Sequence, residues 1–203
     1  MKIIFVRHGE SYDDIINCYG GAADWPLSDS GEKDAKELSE LLNGTKLEKI
    51  YTSPMKRAAQ TAEAIKVNQT CDIQTIFDLR ERNSYGVISG CRHEDTKMLF
   101  GYMLDEFKEK PGDYYSKELI LGAEPHLEFD QRVKSAIELA IKDAEVSGYE
   151  TIAIVTHGNV TRSLYQNILA YGKRINLDHL ARTEVDYKDD IFTIVSKSGI
   201  WDK

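Results

Sequence analysis

The apolar positions of this chain fall into two rhythms. Residues 2 to 7 form a nearly continuous apolar, β-branched run, and Ile152 to Val155 repeat it, the pattern of strands buried on both faces. Each run stops at a His-Gly pair, His8-Gly9 and His157-Gly158. Helical spacings lie between them. Ser28-Asp29-Ser30 offers helix caps with Glu32 three residues after Asp29, and Ala35, Leu38, Leu41 and Leu42 mark an apolar helical face. A second strand is predicted over Lys49 to Thr52. Ser53-Pro54 then reads as an N-cap with Pro at the first helical position, leading into a helix through Ala58, Ala59, Ala62, Ala64 and Ile65. Phe129, Val133, Ile137, Ala140 and Ile141 define a long amphipathic helix that runs to Gly148, and Val160 to Ala170 reads as another. Glu184 to Val195, divided at Lys188-Asp189-Asp190, reads as a two-strand hairpin, and a further helical stretch is expected near 93 to 110.

Strand and helix signals that alternate in this way predict an α/β fold, with a mostly parallel central sheet and helices on both faces. Ligands in such folds bind beyond the carboxyl ends of strands, where both His-Gly pairs fall. With 203 residues, four prolines and neither a low-complexity tract nor an internal repeat, the chain is expected to be a single domain over 1–203. Its formal net charge is -8, with acids spread along the chain and no basic stripe, so neither nucleic acid nor an anionic membrane is an expected partner. An anionic substrate would have to be held against that field by a few locally placed arginines. Cys18, Cys71 and Cys91 are odd in number, widely spaced and free of any C-x-x-C pattern, which suggests neither a disulfide framework nor zinc and fits a reducing, cytoplasmic setting. The apolar run Ile3 to Val6 is too short for a signal-peptide core, and no stretch approaches membrane-spanning length.

Arg7-His8-Gly9-Glu10-Ser11 directly follows a buried strand and has no packing reason to be there, and Thr156-His157-Gly158-Asn159 repeats the arrangement. Two imidazoles could therefore converge at one sheet edge, with glycines that let backbone approach a ligand and helix-opening N–H groups that favour an anion. Two histidines without cysteines or a nearby acidic cluster make a poor metal site, so no metal is expected. A neutral imidazole, with a reference pKa of about 6.5, can act as a nucleophile at physiological pH, and phosphoryl transfer suits it.

These residues carry a resemblance to the histidine phosphatase superfamily, on its phosphoglycerate mutase-like branch, over most of the chain. It rests on Arg7 to Ser11; on Ser53-Pro54-Met55-Lys56-Arg57-Ala58-Ala59-Gln60-Thr61-Ala62; on Leu79-Arg80-Glu81-Arg82 with Gly86; and on His157-Gly158, with Asp24, Pro26-Leu27 and Gly31 fitting the segment after the first motif. The resemblance implies a three-layer α/β/α sandwich in which His8 becomes phosphohistidine. Arg7, Arg57 and His157 would hold the phosphoryl group, and Glu81 would protonate the leaving oxygen and later activate water. Planar guanidinium groups suit that division, since phosphoryl transfer needs positioning and charge stabilisation more than covalent complexity. Neither a metal nor another cofactor is then needed. Ser11, Asp14, Gly158 and Asn159 are the candidate substrate contacts.

The chain departs from the pattern in places. Asp14 stands where Asn is usual, Cys18 where Arg is usual, and one extra residue separates Glu81 from Gly86. A carboxylate beside bound phosphate repels it, and Asp13 doubles that puzzle. His93, His126 and His179 lie outside the motifs and read as surface or supporting residues. A lid-type insertion is expected around 88–125, where Met98 to Met103 with Phe100 and Tyr102, then Phe107, Tyr114 and Tyr115, read either as core packing or as an apolar cover. The leading function is a phosphomonoester hydrolase acting on a small phosphorylated metabolite. One alternative is a 2,3-bisphosphoglycerate-dependent phosphoglycerate mutase, which His157-Gly158-Asn159 and Arg162 favour. Against it, residues 91 to 125 hold one arginine and four lysines against eight acids, where a mutase would grip a substrate carboxylate. A catalytically inactive phospho-ligand binding module is the second alternative, and a homodimer stays open.

Overall fold

Strands β1 (Lys2–Arg7) and β4 (Thr151–Thr156) pair in parallel, in register from Lys2 opposite Thr151 to Arg7 opposite Thr156. That register sets His8 and His157, each one residue beyond its strand, side by side. The computed structural model describes residues 1–98, 101 and 120–203. Among these, β2 (Lys49–Thr52) and a short edge strand β3 (Asp72–Thr75), which periodicity did not reveal, extend the parallel part. The long antiparallel pair β5 (Ile175–Lys188) and β6 (Ile191–Asp202) completes a mixed sheet of order β3-β2-β4-β1-β5-β6. The expected parallel core is thus present, and the terminal hairpin is more than a tail. Asp189 and Asp190 both take positive φ, 52° and 61°, and make the two-residue turn where the sequence placed the split.

Alternation along β1 and β4 feeds two cores. Ile4, Val6, Ala153 and Val155 pack on one face under Leu38 and Leu42 of α2 (Asp29–Leu42) and Ala58, Ala62 and Ile65 of α3 (Lys56–Lys66). Ile3, Phe5, Ile152 and Ile154 pack on the other under Phe129, Val133, Ile137 and Ala140 of α4 (His126–Ser147) and Val160 of α5 (Gly158–Ser163). The result is the α/β/α sandwich. A four-residue helix α1 (Tyr12–Ile15) follows β1, and a helical stretch covers 93–98.

Three expectations shift, and one narrows: of the caps offered by Ser28-Asp29-Ser30, Ser28 caps α2, its Oγ accepting the Gly31 N–H at 2.9 Å. Leu41 is 69% exposed, because Ala35, Leu38, Ser39 and Leu42 already fill the i, i+3, i+4, i+7 face. Helix α3 starts after Met55, which releases Ser53 for another role. The helix after His157 begins at Gly158 and relaxes into a π-helical turn over Leu164–Ile168, ending before Ala170 turns to positive φ. Met98 is exposed, while Phe100, Tyr102, Met103, Phe107, Tyr114 and Tyr115 lie outside the described residues, as does much of the expected insertion. No described helix is long and apolar enough to cross a membrane.

Candidate active site

His8 leaves β1 with its ring pinned at both nitrogens. Nδ1 lies 2.6 Å from the Gly9 carbonyl, which can only accept, so the proton belongs on Nδ1. Nε2 then carries a lone pair, and it accepts a hydrogen bond from Arg57 Nε at 3.2 Å. The backbone that makes this turn is crowded: a Cβ on Gly9 would meet Gly31 O at 2.9 Å, and one on Gly31 would meet Glu10 O at 2.1 Å. Both glycines are required by that close approach of the first motif to the start of α2.

His157 ends β4 and stands at the N-cap of α5. Its ring lies 5.1 Å from that of His8, edge to face. Its Nε2 is 2.7 Å from Ser53 Oγ, which also accepts the Met55 N–H, so the serine that sequence reads as a helix cap is a support for the second histidine. Arg57, in the first turn of α3 and 2% exposed, donates Nη1 to Ala23 O at 2.9 Å and Nη2 to Gly21 O. Arg7 donates Nη1 to Leu177 O at 2.9 Å. Arg7 Nε and His157 Nδ1 are buried without a protein hydrogen-bond partner, and such groups in a polar site call for a ligand. Gly158 lies against Arg7, since a Cβ there would stand 3.6 Å from Arg7 Nε and 3.3 Å from Arg162 Nη1. Arg7, His8, Arg57 and His157, which sequence proposed together, are therefore brought together.

Burial pushes both imidazoles well below the ordinary histidine value, and the neighbouring Arg57 and Arg7 push in the same direction. Both rings are neutral at physiological pH, and His8 offers its Nε2 lone pair as free base.

Glu81 reaches the same place from the loop after Leu79. Its Oε1 accepts the Arg82 N–H at 2.8 Å and its Oε2 the Asn159 N–H at 3.2 Å, which ties it to the opening of α5. The two arginines beside it are occupied elsewhere. Arg80 turns out to Asp78 and stacks over Phe77, while Arg82 is buried and donates to Glu124 O. What holds the loop is a residue that sequence did not single out. Arg132 of α4 donates Nη1 to Asp78 O and Arg80 O, at 2.7 and 2.9 Å, and Nη2 to Glu81 O at 3.1 Å, and it pairs with the Glu124 carboxylate. Only the placement of the 78–81 loop over α4 reveals it; on the helix alone it is one charge among many.

The four expected substrate contacts divide. Ser11 is 1% exposed, caps α1 and donates its hydroxyl to Asp13 Oδ1 at 2.6 Å. Asp14 completes the capping box, Oδ2 accepting the Ser11 N–H at 3.1 Å. The same oxygen lies 3.1 Å from His179 Nε2. Burial would raise the Asp14 pKa, but His179 and the Ser11 amide outweigh it and hold the carboxyl well below its usual range. The acidic pair is thus spent on helix capping and on a histidine that sequence read as a surface or supporting residue. Gly158 and Asn159 stay in the site, with Asn159 Oδ1 3.4 Å from Arg162 Nη1. His93 stacks on Tyr19 at 4.0 Å, and His126 opens α4.

Beside Glu81 opens a cleft of about 560 Å³ lined in part by Met55, Phe77, Arg80, Asn83, Glu124 and Glu128. Among the described residues, no group of three or more His, Cys, Asp or Glu side chains is arranged to hold a metal ion.

This geometry has relatives. The profile described as histidine phosphatase superfamily (branch 1) matches residues 3–198. The 2,3-bisphosphoglycerate-dependent phosphoglycerate mutase of Corynebacterium kroppenstedtii is 30% identical over 190 residues, covering 82% of this chain and 76% of its own length. A broad-specificity phosphatase of Saccharomyces cerevisiae is 25% identical over 209 residues, covering 98% of this chain and 85% of its own. Among solved structures, the phosphoglycerate mutase of Bacillus anthracis superposes with a TM-score of 0.84 at 21% identity, covering 98% of this chain and 92% of that one. The alpha-ribazole phosphatase of Shigella flexneri gives 0.77 at 22% identity, covering 96% and 94%. The structural likenesses establish the fold.

Proposed function

The chain belongs to the histidine phosphatase superfamily, and on that premise we propose that it is a phosphomonoester hydrolase working through a phosphohistidine on His8. The observation that carries the reading is the hydrogen-bond state of His8: Nδ1 bound to its own loop, Nε2 keeping its lone pair toward Arg57, whose Nε–H it accepts. In the first step Nε2 attacks phosphorus as the P–O bond to the leaving group breaks, and Glu81, as the acid, gives its proton to the departing oxygen. In the second, the Glu81 carboxylate takes a proton from water, whose oxygen attacks the phosphorus as the P–N bond breaks, releasing inorganic phosphate and neutral His8. Arg57 turns from His8 to the equatorial oxygens, joined by Arg7 Nε and by His157 through Nδ1. These donors act in a buried site, where charge stabilisation is strongest. No cofactor enters the scheme.

The lining of the cleft beside Glu81 supports a small hydroxyl-bearing leaving group. Among the described residues, Arg80 is its one cation against Asp24, Glu81, Glu124 and Glu128, a poor receptor for a substrate carboxylate. The second reading, a mutase, draws on the names of the sequence relatives and on Arg162 beside Asn159. A panel of phosphorylated metabolites assayed for phosphate release, with 3-phosphoglycerate isomerisation run in parallel, separates the two. Release from sugar or alcohol phosphates without isomerisation is expected, isomerisation without release would establish the mutase, and failure to cleave even an aryl phosphate would leave a binding module.

A further inference from the structure

Strand β5 breaks its pairing with β6 between Leu177 and Arg182. Inside that break Leu180 takes a positive φ of 55°, a conformation that a branched side chain disfavours, while its N–H donates to His8 O at 3.2 Å. Bulges of this kind re-aim side chains, and strain of this kind persists where the surroundings hold it. The side chain re-aimed here is His179. Its ring centroid lies 6.3 Å from that of His8, a separation that a tetrahedral oxyanion held at His8 can bridge, and its Nε2, buried and without a hydrogen-bond partner, lies 3.1 Å from Asp14 Oδ2. His179 remains one-third exposed, open to a ligand.

Building on the phosphatase reading, we propose that His179 is a further phosphate-binding residue, held at the rim of the site beside Asp14. The groups that face His179 are Asp14 from α1 and His8 from the end of β1, with Arg7 and Arg57 behind His8; its own strand adds Asp178 and Arg182 on either side in sequence.

Sulfate tests this, being a dianion inert to hydrolysis. Calorimetry at one pH, about 6, should show His179→Gln binding sulfate roughly tenfold more weakly than the wild-type protein, the effect of one hydrogen bond to a charged group lost. His179→Lys should bind at least as tightly as wild type. Wild-type affinity retained in His179→Gln would overturn the proposal. So would equal weakening in the Gln and Lys variants, which would mark His179 as a support for α1 alone. Either result with wild-type aryl phosphatase activity intact leaves the phosphatase reading standing. Loss of both sulfate binding and aryl phosphate hydrolysis from the wild-type protein would remove that reading and this inference together.

Discussion

The ends of β1 and β4 are nearly interchangeable as sequence, each an apolar strand followed by His-Gly, yet their imidazoles are held in opposite ways. His8 gives its Nδ1 proton to the next carbonyl and keeps Nε2 as a lone pair against Arg57. His157 is tied at Nε2 to Ser53, and it is Nδ1 that is left without a protein partner. The ring nitrogen left over decides the chemistry. On the proposed reading one ring presents a nucleophile and the other a donor for a phosphate oxygen, and the two differ only in what lies beside them.

That contrast can be broken experimentally. The largest effect is expected for His8→Ala, which should lower turnover by at least roughly four powers of ten with the fold intact, since the bond-forming atom is gone. Retention of a tenth of the activity would show that the two rings had been assigned the wrong way round. Glu81→Gln comes next. It should slow the burst of phosphoenzyme formation from an alkyl phosphate by about two to four powers of ten and spare that from a nitrophenyl phosphate, whose leaving oxygen hardly needs a proton. Equal losses for the two esters would move the proton donor elsewhere.

His157→Ala should cost about two to three powers of ten, the worth of one transition-state donor, while a phosphoenzyme still forms. A variant that cannot be phosphorylated at all would erase the distinction between the rings. Arg132→Met removes the clamp on the Glu81 loop and should lower kcat for alkyl phosphates by roughly one to two powers of ten, leaving aryl phosphates nearly unchanged. Parallel losses for both would mark Arg132 as a general support. The smallest effect concerns stability. Two buried histidines with depressed pKa values take up protons in the unfolded chain first. Their contribution is therefore present above about pH 6.5, the unfolded value, and is lost as pH falls toward the folded values. His157→Gln should make the thermal midpoint less sensitive to acid over that interval, and an unchanged slope would refute the neutral burial of this ring.

Much of this site was legible because it sits where periodicity is strongest. The runs before His8 and His157 are buried on both faces, and parallel pairing of two such strands forces their exits together. What escaped the sequence depends on partners far away along the chain. Ser53 before Pro54 reads as a helix cap, and only the neighbouring strand end shows that its hydroxyl belongs to His157. Arg132 draws no notice in the sequence, and only the 78–81 loop lying over it shows what it holds. His179 sits in a bulge that neither a Gly nor a Pro announces, N-terminal to the point where alternation makes the hairpin visible, and the puzzle of Asp14 could not be resolved without it.

The most direct test of the account is to find the phosphate on the protein. Rapid quenching during turnover of an aryl phosphate, followed by peptide mass analysis at neutral to alkaline pH, should place one acid-labile phosphoryl group on the peptide that carries His8. The label should be absent from His8→Ala and should accumulate in Glu81→Gln. A phosphoryl group on the peptide carrying His157, or full turnover with no protein-bound phosphate at any time, would contradict it.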